Sequence, residues 1–99
     1  LQTATELALR SILLSGGTPG PIVEAAISKV YSSELGERLT EAALDLIGPL
    51  ALMEENVVGV PCDGHIEQLL RRSIMMVIGG GTNEIQRTLI AQRGLDLPR

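Results

Sequence analysis

Residues 21–47 decide the fold, and they read PIVEAAISKVYSSELGERLTEAALDLI. Their apolar side chains recur every three or four residues, which is the spacing of one face of an α-helix. Gly36 weakens this helix by about 1 kcal/mol relative to Ala, and Gly48-Pro49 ends it. At 1.5 Å per residue the helix is roughly 40 Å long, which is too long for a lone globule of 99 residues. The stretch therefore predicts a bundle of long helices or a helix that crosses a subunit interface.

Three further helices are predicted on either side of it, at residues 1–14, 65–78 and 82–93. The sequence SGGTPGP, at residues 15–21, breaks the first helix and places Pro21 at or near the start of the long one. Residues 49–64 show little periodicity, and three valines within them favour at most a brief extended piece: Val57, Val58 and Val60. The predicted fold class is all-α, an antiparallel helical bundle.

Both ends of the last helix carry recognisable signals. Thr82 is a good N-cap residue, and Glu84 in the first turn suits the positive end of the helix dipole. Gly94 is predicted to be the left-handed residue that closes the helix. Pro98 prevents the helix from continuing.

The composition excludes several classes of function. The chain is 44% apolar but has one aromatic residue, Tyr31, so Leu, Ile, Val and Ala are expected to form the core. A net charge of −4 argues against nucleic acid as a partner. One Cys and one His give no disulfide framework and no zinc site. No apolar run reaches the roughly 18 residues of a membrane span.

Residues 79–87, GGGTNEIQR, are the densest motif. Three glycines allow positive φ and a close approach of another group to the main chain. Thr82 then opens a helix whose free N–H groups can receive an anion or the polar edge of a cofactor. The plainer alternative is a tight turn between two helices with a Thr cap. The motif is neither a P-loop nor a dinucleotide fingerprint, because no Gly-Lys-Ser/Thr follows it and no strand precedes it.

The sequence from Ile78 to the end, IGGGTNEIQRTLIAQRGLDLPR, resembles the C-terminal end of acyl-CoA dehydrogenases, especially bacterial ones. The resemblance extends upstream to AALDLIGP, at residues 42–49, where that family ends a long helix with Gln-x-x-Gly-Gly. It also includes Arg71-Arg72, where the family often has Arg-Asp. The resemblance thus covers essentially the whole chain.

The resemblance implies a cytoplasmic bacterial flavoprotein that binds FAD and oxidises an acyl-CoA to the trans-2-enoyl-CoA. Electron-transfer flavoprotein or a similar acceptor then takes the electrons. It also implies that the 99 residues are a partial C-terminal bundle domain of a longer oligomeric protein, cut off before the first bundle helix. Such a fragment is expected to be inactive alone and to bind no flavin tightly.

The cofactor residues follow from the same resemblance. The family's Thr-x-Gln/Glu, which touches the flavin, corresponds to Thr82 and Glu84, with Asn83 between them. The family's Gln-x-x-Gly-Gly reaches the adenine half of the FAD bound by a neighbouring subunit. Here Asp45 takes the position of the Gln, and only Gly48 matches the glycines.

The position of the catalytic base is the main departure from the family. Many members carry a Glu two residues before the Thr, where this chain has Gly80. Glycine cannot accept a proton, so no residue of this chain is predicted to be the base. Either the base lies on an upstream helix, or the chain is a base-less partner subunit that acts in assembly and cofactor binding. A third hypothesis, which ignores the resemblance, is a stand-alone helical interaction module.

Overall fold

A computed structural model describes residues 1–16, 21–55 and 57–98. It contains α1 (Gln2–Leu13), α2 (Ile22–Ile47), α3 (His65–Ile78) and α4 (Asn83–Gly94). The described residues form no strand. The predicted all-α class is therefore confirmed, and each helix begins and ends within one residue of its expected position. The predicted break at residues 17–20 lies outside the described residues.

The segment between α2 and α3 is more structured than its sequence indicates. Short 3₁₀ helices occupy Gly48–Leu52 and Pro61–Gly64. The brief extended piece predicted at the valines is wrong, because Val60 N–H donates to the Val57 carbonyl oxygen at 3.3 Å and closes a turn. Gly59, with φ of 82°, breaks any extended run at this point.

The chain divides into two compact units, residues 1–32 with 80–99 and residues 33–79. In the first unit, α4 and the start of α2 run in opposite directions. Lys29 Nζ lies 2.6 Å from Asn83 Oδ1 at one end of α4. At its other end, a Cβ added to Gly94 would lie 3.0 Å from Val23 Cγ1.

The prediction that Gly94 is the left-handed residue closing α4 is wrong. Gly94 is the last residue of the helix itself and does not have positive φ. The left-handed residue is Asp96, with φ of 52°. Leu97 N–H then donates to the Ala91 carbonyl oxygen at 3.0 Å and closes the end of the helix. Glycine at position 94 leaves room for Val23. The left-handed conformation is adopted two residues later by Asp96, a residue type that tolerates it.

In the second unit, the loop before α3 is tied to the first turns of that helix. Glu54 pairs with Arg71 at 3.3 Å, and Arg71 also bonds Glu67 one turn earlier on α3. Gln68 Nε2 donates to the Glu55 carboxylate at 2.7 Å. A Cβ on Gly64, whose φ is 77°, would lie 2.9 Å from the Glu54 carbonyl carbon. Close backbone approach and positive φ therefore both require glycine at position 64.

Burial in both units falls on small residues rather than on the large aliphatic ones. The buried apolar side chains are Ala26 and Ala51, at 3% and 2% exposure, and the buried polar ones are Ser33, Thr40, Ser73 and Asn83. The expected core of Leu, Ile and Val is thus only partly realised, and many of these side chains are exposed, Leu46 by 87%. None of the described helices is long and apolar enough to cross a membrane.

We expect the chain to self-associate at micromolar concentration, because exposed apolar side chains of this extent mark interfaces. Leu46→Lys should reduce the association, since it places a charge on the most exposed Leu of α2. Glu41→Gln, on the same helix, makes the same change in net charge and serves as the control. Light scattering reads the mass of each, and a stable monodisperse wild-type monomer would contradict the expectation.

Candidate cofactor site at the start of α4

The entry into α4 is built from two glycines and a capping threonine. Gly80 and Gly81 have φ of 72° and 97°, which L-residues with a side chain rarely adopt. Thr82 follows in an extended conformation, and its Oγ1 accepts the Ile85 N–H at 3.4 Å. The predicted N-cap is thereby confirmed. The Thr82 carbonyl oxygen accepts the Gln86 N–H at 3.0 Å, which starts the helical hydrogen-bond ladder.

Gln86 ties the helix back to the glycine turn. Its Nε2 donates to the Gly80 carbonyl oxygen at 2.8 Å. A Cβ on Gly81 would lie 2.9 Å from the same nitrogen. Residue 81 must therefore be glycine both for its φ and to leave room for this hydrogen bond.

Asn83, the first residue of α4, is 5% exposed. Its Oδ1 accepts a hydrogen bond from Lys29 Nζ at 2.6 Å, a contact between residues 54 positions apart in sequence. Thr82, Asn83 and Glu84, the three residues predicted to meet the flavin, are consecutive in one helical entry. Lys29 of α2 holds the middle one by this hydrogen bond.

Glu84 is exposed, and the pKa of its carboxyl lies below the ordinary value of 4.5. The main cause is a hydrogen bond from its own main-chain N–H, and the Thr82 hydroxyl donates a second one. Arg87 and Lys29 lower the pKa further by charge attraction. The carboxylate is therefore held ionised.

The two remaining predicted cofactor residues lie in the other compact unit. Asp45 is exposed near the end of α2. Gly48 begins the following 3₁₀ helix with φ of 71°. The structure thus brings Thr82, Asn83 and Glu84 together, and Asp45 and Gly48 form a separate pair. No group of three or more His, Cys, Asp or Glu side chains that could hold a metal ion occurs in the part of the chain described.

Lys29 and Gln86 were missed by the sequence analysis. Gln86 is inside the GGGTNEIQR motif, but its reach to Gly80 depends on the turn geometry and not on helical spacing. Lys29 is the only lysine of the chain, but no sequence pattern links it to Asn83, 54 positions away.

Comparison with known proteins agrees with this architecture. Residues 2–95 match the family model of the acyl-CoA dehydrogenase C-terminal domain. Acyl-CoA dehydrogenase FadE26 of Mycobacterium tuberculosis is 33% identical over 82% of this chain and 20% of its own length. The 3-sulfinopropanoyl-CoA desulfinase of Advenella mimigardefordensis is 34% identical over 95% of this chain and 21% of its own length.

Among solved structures, the ChsE4–ChsE5 complex of Mycobacterium tuberculosis contains a similar fold. The TM-score is 0.84 at 27% identity, over 99% of this chain and 25% of the matched one. The chain thus spans about a fifth of the length of the relatives named above. Because the family model covers nearly all of its residues, this chain belongs to the acyl-CoA dehydrogenase family as its C-terminal domain.

Proposed function

We propose that these residues are the C-terminal bundle domain of an FAD-dependent acyl-CoA dehydrogenase, an oxidoreductase that converts an acyl-CoA to the trans-2-enoyl-CoA. In this proposal the domain contributes flavin contacts and an oligomer interface, and electron-transfer flavoprotein or a similar acceptor takes the electrons. A cytoplasmic location stays a prediction. One relative is named for a different reaction of a CoA thioester, a desulfination. The proposal therefore has two levels: an acyl-CoA as the substrate class, and dehydrogenation as the specific reaction.

The geometry of the α4 entry is the observation that carries the proposal. Gly80 is exposed, and apart from Gly80 and its two chain neighbours no atom lies within 4 Å of the place where its Cβ would be. A planar ring can therefore approach the main chain there. The Thr82 hydroxyl stands next to this turn at the N-terminus of α4, and a flavin ring edge carries carbonyl oxygens and ring nitrogens that accept hydrogen bonds.

When bound, FAD supplies the acceptor for a hydride from the β-carbon of the acyl-CoA. The role of this chain is to position the ring. In the proposal, the Thr82 hydroxyl turns from the Glu84 carboxylate to donate to the ring, and Asn83 fixes the direction of the turn. Asp45 and Gly48 contact the adenine half of an FAD bound by a neighbouring subunit.

Glu84 is a polar contact in this proposal and not the base. Its carboxylate already accepts hydrogen bonds from its own main-chain N–H and from the Thr82 hydroxyl. A general base at neutral pH works best with a pKa near the operating pH, and the pKa of Glu84 is shifted in the opposite direction. In this proposal the base lies on an upstream helix of the longer protein.

A second candidate is a base-less partner subunit that acts in assembly and cofactor binding. Two observations favour it. The position where many family members carry the catalytic Glu is Gly80, and the similar solved structure is a complex of two differently named chains.

Replacing Glu84 tests whether its carboxylate is held ionised. Because its pKa is lower in the folded chain, it stabilises the fold above its unfolded-state pKa, and this contribution is lost as the pH falls through the folded-state value. Glu84→Gln should therefore lower the melting temperature at pH 7 and flatten its fall toward acid. Glu41→Gln, on exposed α2 surface, is the control. If wild type and Glu84→Gln have identical melting temperatures from pH 7 down to acid pH, the assignment of Glu84 as a stabilising, ionised carboxylate is contradicted.

Replacing Thr82 tests the flavin contact. In the native protein that carries these residues, Thr82→Ala should weaken FAD binding by about threefold to tenfold, since one donor is lost. It should also cost about 1 kcal/mol of stability through the lost N-cap. Thr88→Ala is the control, because the Thr88 hydroxyl bonds only the Glu84 carbonyl oxygen within α4 in this structure. Wild-type protein purified without flavin, and unable to take it up, would refute the proposed function.

Replacing Gly80 separates the two candidates. If the base lies on an upstream helix, Gly80→Glu places a second carboxylate at the same site, and turnover should fall. If the protein is a base-less subunit, the same change supplies the missing group, and weak activity should appear. The left-handed φ adds strain of roughly 1–2 kcal/mol for any side chain, so Gly80→Ala is the matched control.

Activity is measured with a panel of acyl-CoAs and a dye acceptor, with 3-sulfinopropanoyl-CoA included. If Gly80→Glu and Gly80→Ala turn over acyl-CoA at equal rates, Gly80 does not lie near the reacting atoms of the substrate. The placement of Gly80 at the catalytic-base position is then wrong for both candidates.

A further inference from the structure

Lys29 is the only lysine in the chain, and it is held at the entry to α4. Its Nζ is 2.6 Å from Asn83 Oδ1 in a partly buried contact. Asn83 itself is 95% buried, since its exposure is 5%. The bond joins the first half of α2 to the first residue of α4, both within the same compact unit.

This is a costly place for an ammonium group. The N-terminus of a helix is the positive end of its dipole, which disfavours a nearby cation. Partial burial also removes some of the water that solvates the charge. The dipole of α4 therefore does not account for Lys29. Two groups favour the ammonium there: the Asn83 amide oxygen, at 2.6 Å from Nζ, and the Glu84 carboxylate, which attracts its charge.

The chemistry of the pair fixes the orientation of the Asn83 amide. An ammonium has only donors, so the amide oxygen must face Lys29 and the amide NH₂ must face a different direction. A hydrogen bond with an ionised donor is about twice as strong as a neutral one. Because Asn83 is the residue between Thr82 and Glu84, holding its side chain also holds the main chain on which those two side chains depend.

The other hydrogen bonds at this entry join residues that are close together in the sequence. Thr82 caps Ile85 three residues on, and Gln86 reaches Gly80 six residues back. Both move with α4 as one piece. Lys29 is on another helix, so its bond relates the position of the entry to α2 in this unit.

We propose that Lys29 is a positioning residue for the cofactor site, acting through Asn83 to hold the Thr82–Asn83–Glu84 entry in the geometry that receives FAD. This inference rests on the proposed function. Lys29 acts on Asn83 and is not itself a catalytic residue.

The test uses the native protein that carries these residues, with Lys29→Met, Lys29→Arg, Asn83→Ala and the Lys29→Met/Asn83→Ala double variant. Arg38→Met is the control: it removes one cation from the same helix, and the bond that Arg38 makes is to the Glu34 carbonyl oxygen of α2 itself. Each apoprotein is titrated with FAD, followed by flavin fluorescence and the visible absorption band. Hydrogen exchange at the Ile85 and Gln86 amides reports the state of the α4 entry independently of flavin.

Lys29→Met should weaken FAD binding about tenfold and speed exchange at both amides. Lys29→Arg should recover most of the affinity, and Arg38→Met should bind as wild type. In the Asn83→Ala background, Lys29→Met should have little further effect, because the two residues act as one unit.

Unchanged FAD affinity in Lys29→Met, or additive effects in the double variant, would overturn the inference and leave the proposed function in place. A wild-type protein that binds no FAD would overturn the proposed function, and the positioning role with it. If Lys29→Met does not fold, Lys29→Gln is used instead, since its shorter neutral side chain also removes the ammonium, and the same outcomes decide.

Discussion

The entry into α4 requires positive φ at two successive residues, and the candidate site depends on that constraint. Gly80 and Gly81 meet it with φ of 72° and 97°. A Cβ is disfavoured at both positions, and at Gly81 it would also approach the Gln86 amide nitrogen to 2.9 Å. The two glycines allow Thr82 to enter as an extended N-cap residue, next to a main chain that carries no side chain.

Such a turn has little intrinsic rigidity, because glycine loses more conformational freedom on folding than any other residue. Three hydrogen bonds of increasing sequence separation hold the turn in place. Thr82 bonds Ile85, Gln86 bonds the Gly80 carbonyl oxygen, and Lys29 bonds Asn83 across 54 residues of sequence. The first two define the shape of the entry, and the third relates it to another helix.

Sequence periodicity was enough to place the four helices but not their connections. The start and end of α3 were predicted without error, since glycines bound it on both sides. Gly94 was misassigned because a helix-ending glycine and a glycine that makes room for a neighbouring helix look the same in sequence. Only the 3.0 Å approach of a Cβ there to Val23 separates the two cases. Thr82 and Glu84 could be predicted from local capping rules, whereas Lys29 could not, because its partner lies far along the chain.

The pattern of burial explains why the aliphatic residues did not form the expected core. The buried hydroxyls are satisfied locally: Thr40 donates to the Gly36 carbonyl oxygen and Ser73 to that of Leu70, both at 2.8 Å. These groups are buried at little cost because each keeps a hydrogen bond. Many of the large aliphatic side chains are exposed instead, as at Leu46. Helical periodicity therefore identified the apolar faces correctly, but an apolar face is buried only where a partner covers it, and periodicity does not specify that partner.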